Sequence, residues 1–153
     1  MWAWAAGFAC FGLASFAGGT VHGFATMFSQ AVLQELWKLT ACAIGLASFF
    51  LLAGTLIACI VASVRRLAML VPYAQLIVYA VWMASHHDFR DVIYDYAFTN
   101  FGILGLECYA GITRHAKSAP WMAGGVLASF LAAAVQVNGV ALHDHLITMI
   151  SIM

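Results

Sequence analysis

A long run without charge is the feature that most constrains how this chain folds. Between Lys38 and Arg65 the sequence contains no charged residue, and further apolar runs lie before and after it. A helix needs about 20 predominantly apolar residues to cross a bilayer. The 153 residues are 65% hydrophobic and only 8% charged, whereas about 25% of the residues in soluble domains are charged. The sequence therefore predicts an integral membrane protein.

The apolar runs predict an all-α fold, a bundle of five transmembrane helices that forms a single domain over residues 1–153. Short polar separators, SQAVLQE, RR, HHDFRD and TRHAKSAP, divide the runs. The C-terminal LITMISIM is too short to cross a bilayer. It fits an extension of the fifth helix, an interfacial segment or the start of a sixth span. The predicted spans are residues 3–28, 36–63, 67–85, 91–112 and 120–142.

The distribution of Lys and Arg predicts the orientation of these spans. Four basic residues lie in the second and fourth connections and two in the first and third. Because cytoplasmic loops carry the excess of Lys and Arg, the N-terminus is expected in the cytoplasm, with the chain in a cell membrane of the bacterial inner-membrane type. Membrane lipids are the expected partners, together with a homo-oligomer or a larger membrane complex. The zero net charge argues against nucleic acid, which needs a basic surface.

Ionisable residues concentrate at the opposite membrane face. Four predicted helices each carry a polar stripe at helical spacing, and each stripe ends in His or Asp at the same level. One stripe holds Gln75, Tyr79, Trp82 and His86, which favours His86 over His87 as the inward residue. Polar side chains at such depths normally face the bundle interior. The candidate site residues are His22, His86, Asp91, Asp95, His143 and His145.

This set of side chains suits a catalytic zinc site. Three protein ligands plus water is the usual pattern, and His22, His86 and either His143 or His145 would supply the ligands. Asp91 or Asp95 would position the water or act as a base. The leading hypothesis is a zinc-dependent hydrolase that acts on a lipid-like substrate at the outer face.

Two other functions fit the same residues. Two of the histidines could bind b-type haem in an electron-transfer subunit, because histidine is a common axial ligand of haem. Alternatively, the chain is a non-catalytic accessory subunit whose polar residues form ion pairs and helix caps. Asp88 followed by Asp91 is typical of a capped helix N-terminus, and Asp95 would then pair with Arg90 or a histidine.

The histidines and the aspartate pair resemble those of the membrane hydrolase superfamily of alkaline ceramidases and progestin/adipoQ-type receptors. That family has seven helices and an intramembrane zinc bound by three histidines, with a serine and an aspartate close by. The resemblance implies that His22 is the early ligand and that Ser15 or Thr20 takes the serine position. It implies that Asp91 or Asp95 is the aspartate and that His143 and His145 form the late pair. The motifs GGTVHGF, HHDFRDVIYDY and GVALH also resemble small uncharacterised bacterial multi-pass membrane proteins.

Metal analysis of the purified protein tests the zinc hypothesis directly. We expect stoichiometric zinc in the wild-type protein and its loss in His22→Ala, because a three-ligand site cannot lose one ligand without a large loss of affinity. An absorbance band in the Soret region would instead support the haem hypothesis. A protein that binds neither group would contradict both.

Overall fold

The computed structural model describes residues 2–86 and 88–137, and this part of the chain is helical throughout, with short connections and no strand. The coarse prediction of an all-α protein is therefore confirmed for the described residues. The helices are α1 (Trp2–Gly23), α2 (Gln30–Cys59), α3 (Ala62–Ala68), α4 (Leu70–Ser85), α5 (Phe89–Arg114) and α6 (Ala119–Val137).

The long helix α2 lies at the centre of the bundle. Helices α1, α4 and α5 all pack against it, and α6 packs against α5. Most of the buried residues of α2 are small, including Ala41, Gly45, Ser48 and Thr55. Small side chains allow helix backbones to approach closely, which is the usual way in which helices associate in membranes.

Helix α1 also packs closely through small residues. Its buried residues are Ala3, Gly7, Ala14 and Ala17, which share one face at helical spacing. A Cβ atom on Gly7 would lie 2.8 Å from the side chain of Leu51. Trp4 of α1 lies against Gly54 of α2, whereas Phe16 points outward and is 76% exposed.

A small apolar core joins α2, α5 and α6. It consists of Leu52 and Leu56 on α2, Ile103 on α5 and Val126 on α6, all nearly inaccessible to solvent. This core lies toward the second half of α2. The first half of α2 faces α4, where the polar residues described below lie.

The break after α2 falls earlier than the predicted separator at Arg65–Arg66. Helix α2 ends at Cys59, and Ile60 and Val61 are extended. Arg65 stabilises this turn, because its Nε and Nη2 atoms donate to the carbonyl of Ile60 at 3.3 and 3.1 Å. Arg65 and Arg66 therefore belong to a short helix, α3, rather than to a loop.

Other boundaries also differ from the prediction. Helix α1 ends at Gly23 rather than at residue 28, and α2 begins at Gln30 rather than at residue 36. The polar segment SQAVLQE is helical because Ser29 caps α2, with its Oγ accepting from the backbone N–H of Val32 at 3.5 Å. The interruption between α3 and α4 is explained by Pro72, which has no N–H and whose ring opposes a carbonyl four residues earlier.

Three segments of the described chain are long and apolar enough to cross a membrane: Trp2–Gly23, Gln30–Cys59 and Ala62–Ser85, the last comprising α3 and α4. The described part of α6 includes a shorter apolar stretch, Ala119–Leu131. The coarse prediction is confirmed to that extent, because these lengths and compositions are compatible with a membrane protein.

The contact between Gly45 and Tyr79 provides a test of the α2–α4 packing. A Cβ atom on Gly45 would lie 2.6 Å from Tyr79 Cδ1 and closer still to Cε1. We expect Gly45→Ala to lower the free energy of unfolding by about 1–3 kcal/mol, the usual cost of overpacking. Unfolding of the purified protein in detergent, followed by circular dichroism, measures this change.

Gly12→Ala is the matched control, because a Cβ atom on Gly12 meets nothing within 4 Å. Replacing glycine by alanine inside a helix is otherwise favourable by about 0.5–1 kcal/mol. Equal effects of the two substitutions would contradict the described α2–α4 contact.

Candidate functional site

A cavity of about 520 Å³ lies between α4 and α5. The two helices approach each other only sparsely, which leaves this space open along their length. Apolar and aromatic side chains form its rim, and Trp82, Tyr94 and Phe98 are each at least half exposed. Its polar lining residues are Gln75, Tyr79, Asp91, Tyr94 and Asp95.

A hydrogen-bond network connects α4 to α5 at the inner wall of this cavity. The side-chain amide of Gln75 donates to Asp95 Oδ1 at 2.8 Å and to Thr99 Oγ1 at 2.7 Å. Asp95 and Thr99 are four residues apart and therefore share one face of α5. Thr99 is 1% exposed, so the network extends from the cavity wall into the bundle.

The network contains more acceptor oxygens than donors. Gln75 Oε1 and Asp95 Oδ2 are both buried and have no hydrogen-bond partner among the described residues. Ser48 on α2 lies next to the Asp95 carboxyl group and offers it a hydroxyl donor, although its buried Oγ is outside hydrogen-bond geometry with every described acceptor. An unsatisfied buried polar group costs about 1–3 kcal/mol. Such a concentration around one carboxyl group makes it a candidate binding site.

Tyr79 holds α4 in place beside this network. Its ring lies against Gly45, and its hydroxyl group donates to the backbone carbonyl of Ala41 at 2.8 Å. Gln75 lies one turn earlier on α4. The contact between Tyr79 and α2 therefore determines where the Gln75 amide meets Asp95.

The structure brings the two predicted catalytic aspartates to the same cavity, since Asp91 and Asp95 both line it. Of the partners expected for Asp95, Arg90 is wrong, whereas His143 and His145 lie outside the described residues. Arg90 pairs with Asp88 at 3.1 Å on the exposed surface, and Asp95 accepts from Gln75 instead. Asp88 does occupy the N-cap position of α5, but its side chain makes no capping hydrogen bond, because the carboxylate is engaged by Arg90.

Two of the predicted histidines, His22 and His86, lie at exposed positions near the ends of their helices. His86 is the C-cap residue of α4 and is exposed, so it does not point into the bundle. Its ring stacks on Trp82 at 4.3 Å, and its Nδ1 lies 2.9 Å from Ser85 Oγ. His22 is exposed in the last turn of α1.

The proposed zinc ligands remain a prediction. Within residues 2–86 and 88–137, no group of three or more His, Cys, Asp or Glu side chains is arranged to hold a metal ion. His143 and His145 lie outside the described residues. The roles of His22 and His86 as ligands are therefore untested by this structure.

Two buried polar residues were not singled out from the sequence, Ser48 beside Asp95 and Asn100 on another face of α5. Ser48 lies in the long uncharged run of α2, where a single hydroxyl side chain gives no distinctive signal. Asn100 is 6% exposed and has a buried Nδ2 without a partner among the described residues. An asparagine in an apolar span is itself a signal of function, and that signal was available.

These features define an all-helical protein with a polar-walled cavity between two of its helices and with segments of membrane-spanning length. The chain belongs to a family of unknown function, DUF6962, whose model matches residues 1–152. No curated protein and no solved structure gives a significant match to it.

A double-mutant cycle tests the Gln75–Asp95 interaction. We expect Gln75→Leu and Asp95→Leu to be coupled by about 0.5–3 kcal/mol in the free energy of unfolding, as for residues in one hydrogen-bond network. The four proteins are compared by thermal unfolding in detergent. Additive effects of the two substitutions would contradict the hydrogen bond.

Proposed function

We propose that this protein is a membrane-embedded binding protein whose α4–α5 cavity takes an amphiphilic molecule with a cationic, hydrogen-bond-donating head group. Asp95 anchors that group, and Gln75 positions the carboxylate. The observation that carries the proposal is the surplus of acceptor oxygens around Asp95 in the wall of an aromatic-rimmed cavity.

The proposal includes membrane insertion, with α1, α2, α4, α5 and α6 as the five crossing helices. Large apolar side chains exposed on the bundle support it, since Ile77, Val81 and Trp121 are 63%, 68% and 83% exposed. Monomeric soluble proteins rarely expose such extensive apolar surface. The bacterial inner membrane and a cytoplasmic N-terminus are parts of the same proposal, supported by the Lys and Arg distribution.

An ammonium group complements the inner wall of the cavity. It offers donors without adding an acceptor, whereas Gln75 Oε1 and Asp95 Oδ2 both need a donor. Ionised donor–acceptor pairs form hydrogen bonds roughly twice as strong as neutral pairs. In an apolar environment a carboxylate also requires a counter-charge, and Arg90 is already paired with Asp88.

The aromatic rim suits the same ligand. Trp82, Tyr94 and Phe98 line the cavity beside Tyr79, and the faces of such rings attract a cation within about 6 Å. The cavity volume of about 520 Å³ lies in the range of small-molecule sites, about 300–1,000 Å³. The apolar lining residues Val71 and Val78 would contact the tail of the ligand.

The zinc hydrolase, the b-type haem subunit and the accessory subunit stay hypotheses beside this one. The zinc site depends on His143 or His145, which lie outside the described residues, and the haem hypothesis needs any two of the candidate histidines. The position of Asp91 and Asp95 in one cavity wall suits a catalytic base as well as an anchor. The unpaired oxygens of Gln75 and Asp95 favour the binding protein among these functions, because they require a ligand that donates hydrogen bonds.

Binding of decylamine to the protein in lipid nanodiscs tests the proposal. We expect Asp95→Asn to weaken decylamine binding by about tenfold or more, because a hydrogen bond to a charged group contributes about 1.5–3 kcal/mol. The substitution leaves an acceptor for the Gln75 amide, so the fold is retained. Isothermal titration calorimetry measures the affinity, with empty nanodiscs as the blank.

Decanol, which has the same chain length and no charge, is the control ligand, and its binding should change little. Asp88→Asn is the control variant, because Asp88 is exposed and pairs with Arg90. Equal decylamine affinity in the wild-type protein and in Asp95→Asn would refute the anchoring role.

A further inference from the structure

We propose a second ligand site, in the groove that α1 and α6 form over α5, which binds a planar, membrane-soluble carbonyl compound of the isoprenoid-quinone class. The groove has a volume of about 300 Å³. Asn100 provides a buried amide group, and Phe8, Phe11, Tyr96 and Trp121 provide aromatic walls.

Asn100 is the hydrogen-bonding residue of this site. The residue is 94% buried, since only 6% of its surface is exposed, and its Nδ2 has no hydrogen-bond partner among the described residues. The amide has two donor hydrogens and one acceptor oxygen, and a half-turn about its terminal bond exchanges their positions. An acceptor oxygen on a ligand in the groove would therefore satisfy a donor that the described protein leaves unpaired.

The walls of the groove favour a flat ring. Phe11 and Tyr96 are stacked, with their centroids 6.1 Å apart and an interplanar angle of 25°. Trp4 and Phe8 form a second tilted pair at 6.0 Å. Aromatic faces prefer offset-stacked or edge-to-face neighbours, which a planar ring in the groove provides. The other lining residues, such as Leu51 and Val126, suit an apolar tail.

The depth of Asn100 in the membrane limits which carbonyl compounds can reach it. It lies near the middle of α5, which runs from Phe89 to Arg114, and about 16 Å along the axis from the first residue at 1.5 Å per residue. This step rests on the proposed membrane crossing, which places Asn100 near the centre of the bilayer. Phospholipid ester groups lie at the interface, outside the hydrocarbon core of about 30 Å. A carbonyl group at the bilayer centre must belong to a molecule that dissolves in that core, as a quinone does.

The groove is distinct from the α4–α5 cavity. Consecutive residues of a helix point about 100° apart, so Asp95 lines one site and Tyr96 the other. The chemistry also differs: among the described residues, the unpaired buried atoms of Gln75 and Asp95 at the cavity are acceptor oxygens, whereas the unpaired buried atom of Asn100 at the groove is an amide nitrogen.

Binding of 2-decyl-1,4-naphthoquinone and of 2-decylnaphthalene to the protein in lipid nanodiscs tests the second site. We expect the wild-type protein to bind the quinone about tenfold more tightly than the hydrocarbon, the effect of one buried hydrogen bond. In Asn100→Leu, which has a side chain of similar size, the two ligands should bind equally. Calorimetric titration with subtraction of empty nanodiscs measures both affinities.

Control variants separate this result from misfolding and from the first site. Ser129→Ala should leave quinone binding unchanged, because the Ser129 hydroxyl already donates to the carbonyl of Gly125 at 3.0 Å. Asp95→Asn should also leave it unchanged, whatever its effect on decylamine. Asn100→Leu should unfold at the wild-type temperature or above, since it removes an unpaired buried amide.

Three results would overturn the second site. They are equal affinities of the wild-type protein for the two ligands, a quinone preference that survives in Asn100→Leu, and a lower unfolding temperature of Asn100→Leu, which would show that the amide already has a partner.

Discussion

The close approach of α4 to α2 at Gly45 is the interaction on which the α4–α5 cavity depends. The Tyr79 ring occupies the space that a side chain at position 45 would fill, and its hydroxyl group reaches the carbonyl of Ala41. This contact sets the position of α4. One turn from Tyr79, the Gln75 amide then meets Asp95 of α5. Gly45 of α2 thus allows α4 to lie where its Gln75 side chain contacts the Asp95 carboxylate of α5.

Helix α5 contributes to both the α4–α5 cavity and the groove. Among the described residues, Asp95 and Gln75 have unpaired buried oxygens on the side of α4, and Asn100 has an unpaired buried nitrogen on the side of α1 and α6. Each mismatch is costly in an apolar bundle. Both proposals follow from the same reasoning, in which the missing hydrogen-bond partner defines the chemistry of the ligand.

Sequence reasoning located much of the first site and missed most of the second. The stripe of Gln75, Tyr79 and Trp82 was predicted from helical spacing, and these residues line one cavity with Asp91 and Asp95. The same spacing failed for His86, because α4 ends before it and the residue becomes an exposed cap. The helical spacing of about 3.6 residues applies only inside a helix. The residue at which a helix ends depends on local capping and on the neighbouring helices.

The sequence by itself determined the all-helical character, the apolar length of the segments and the residues that share a helix face. These properties depend on side chains near one another in the chain. The tertiary structure alone decided which polar groups meet: among the described residues Gln75, rather than Arg90, donates to Asp95, and Ser48 lies beside the same carboxyl group. Such pairings depend on the distance between two helices and on the rotation of each helix about its axis. Small residues of α2 such as Gly45 set both quantities, but only in the assembled bundle.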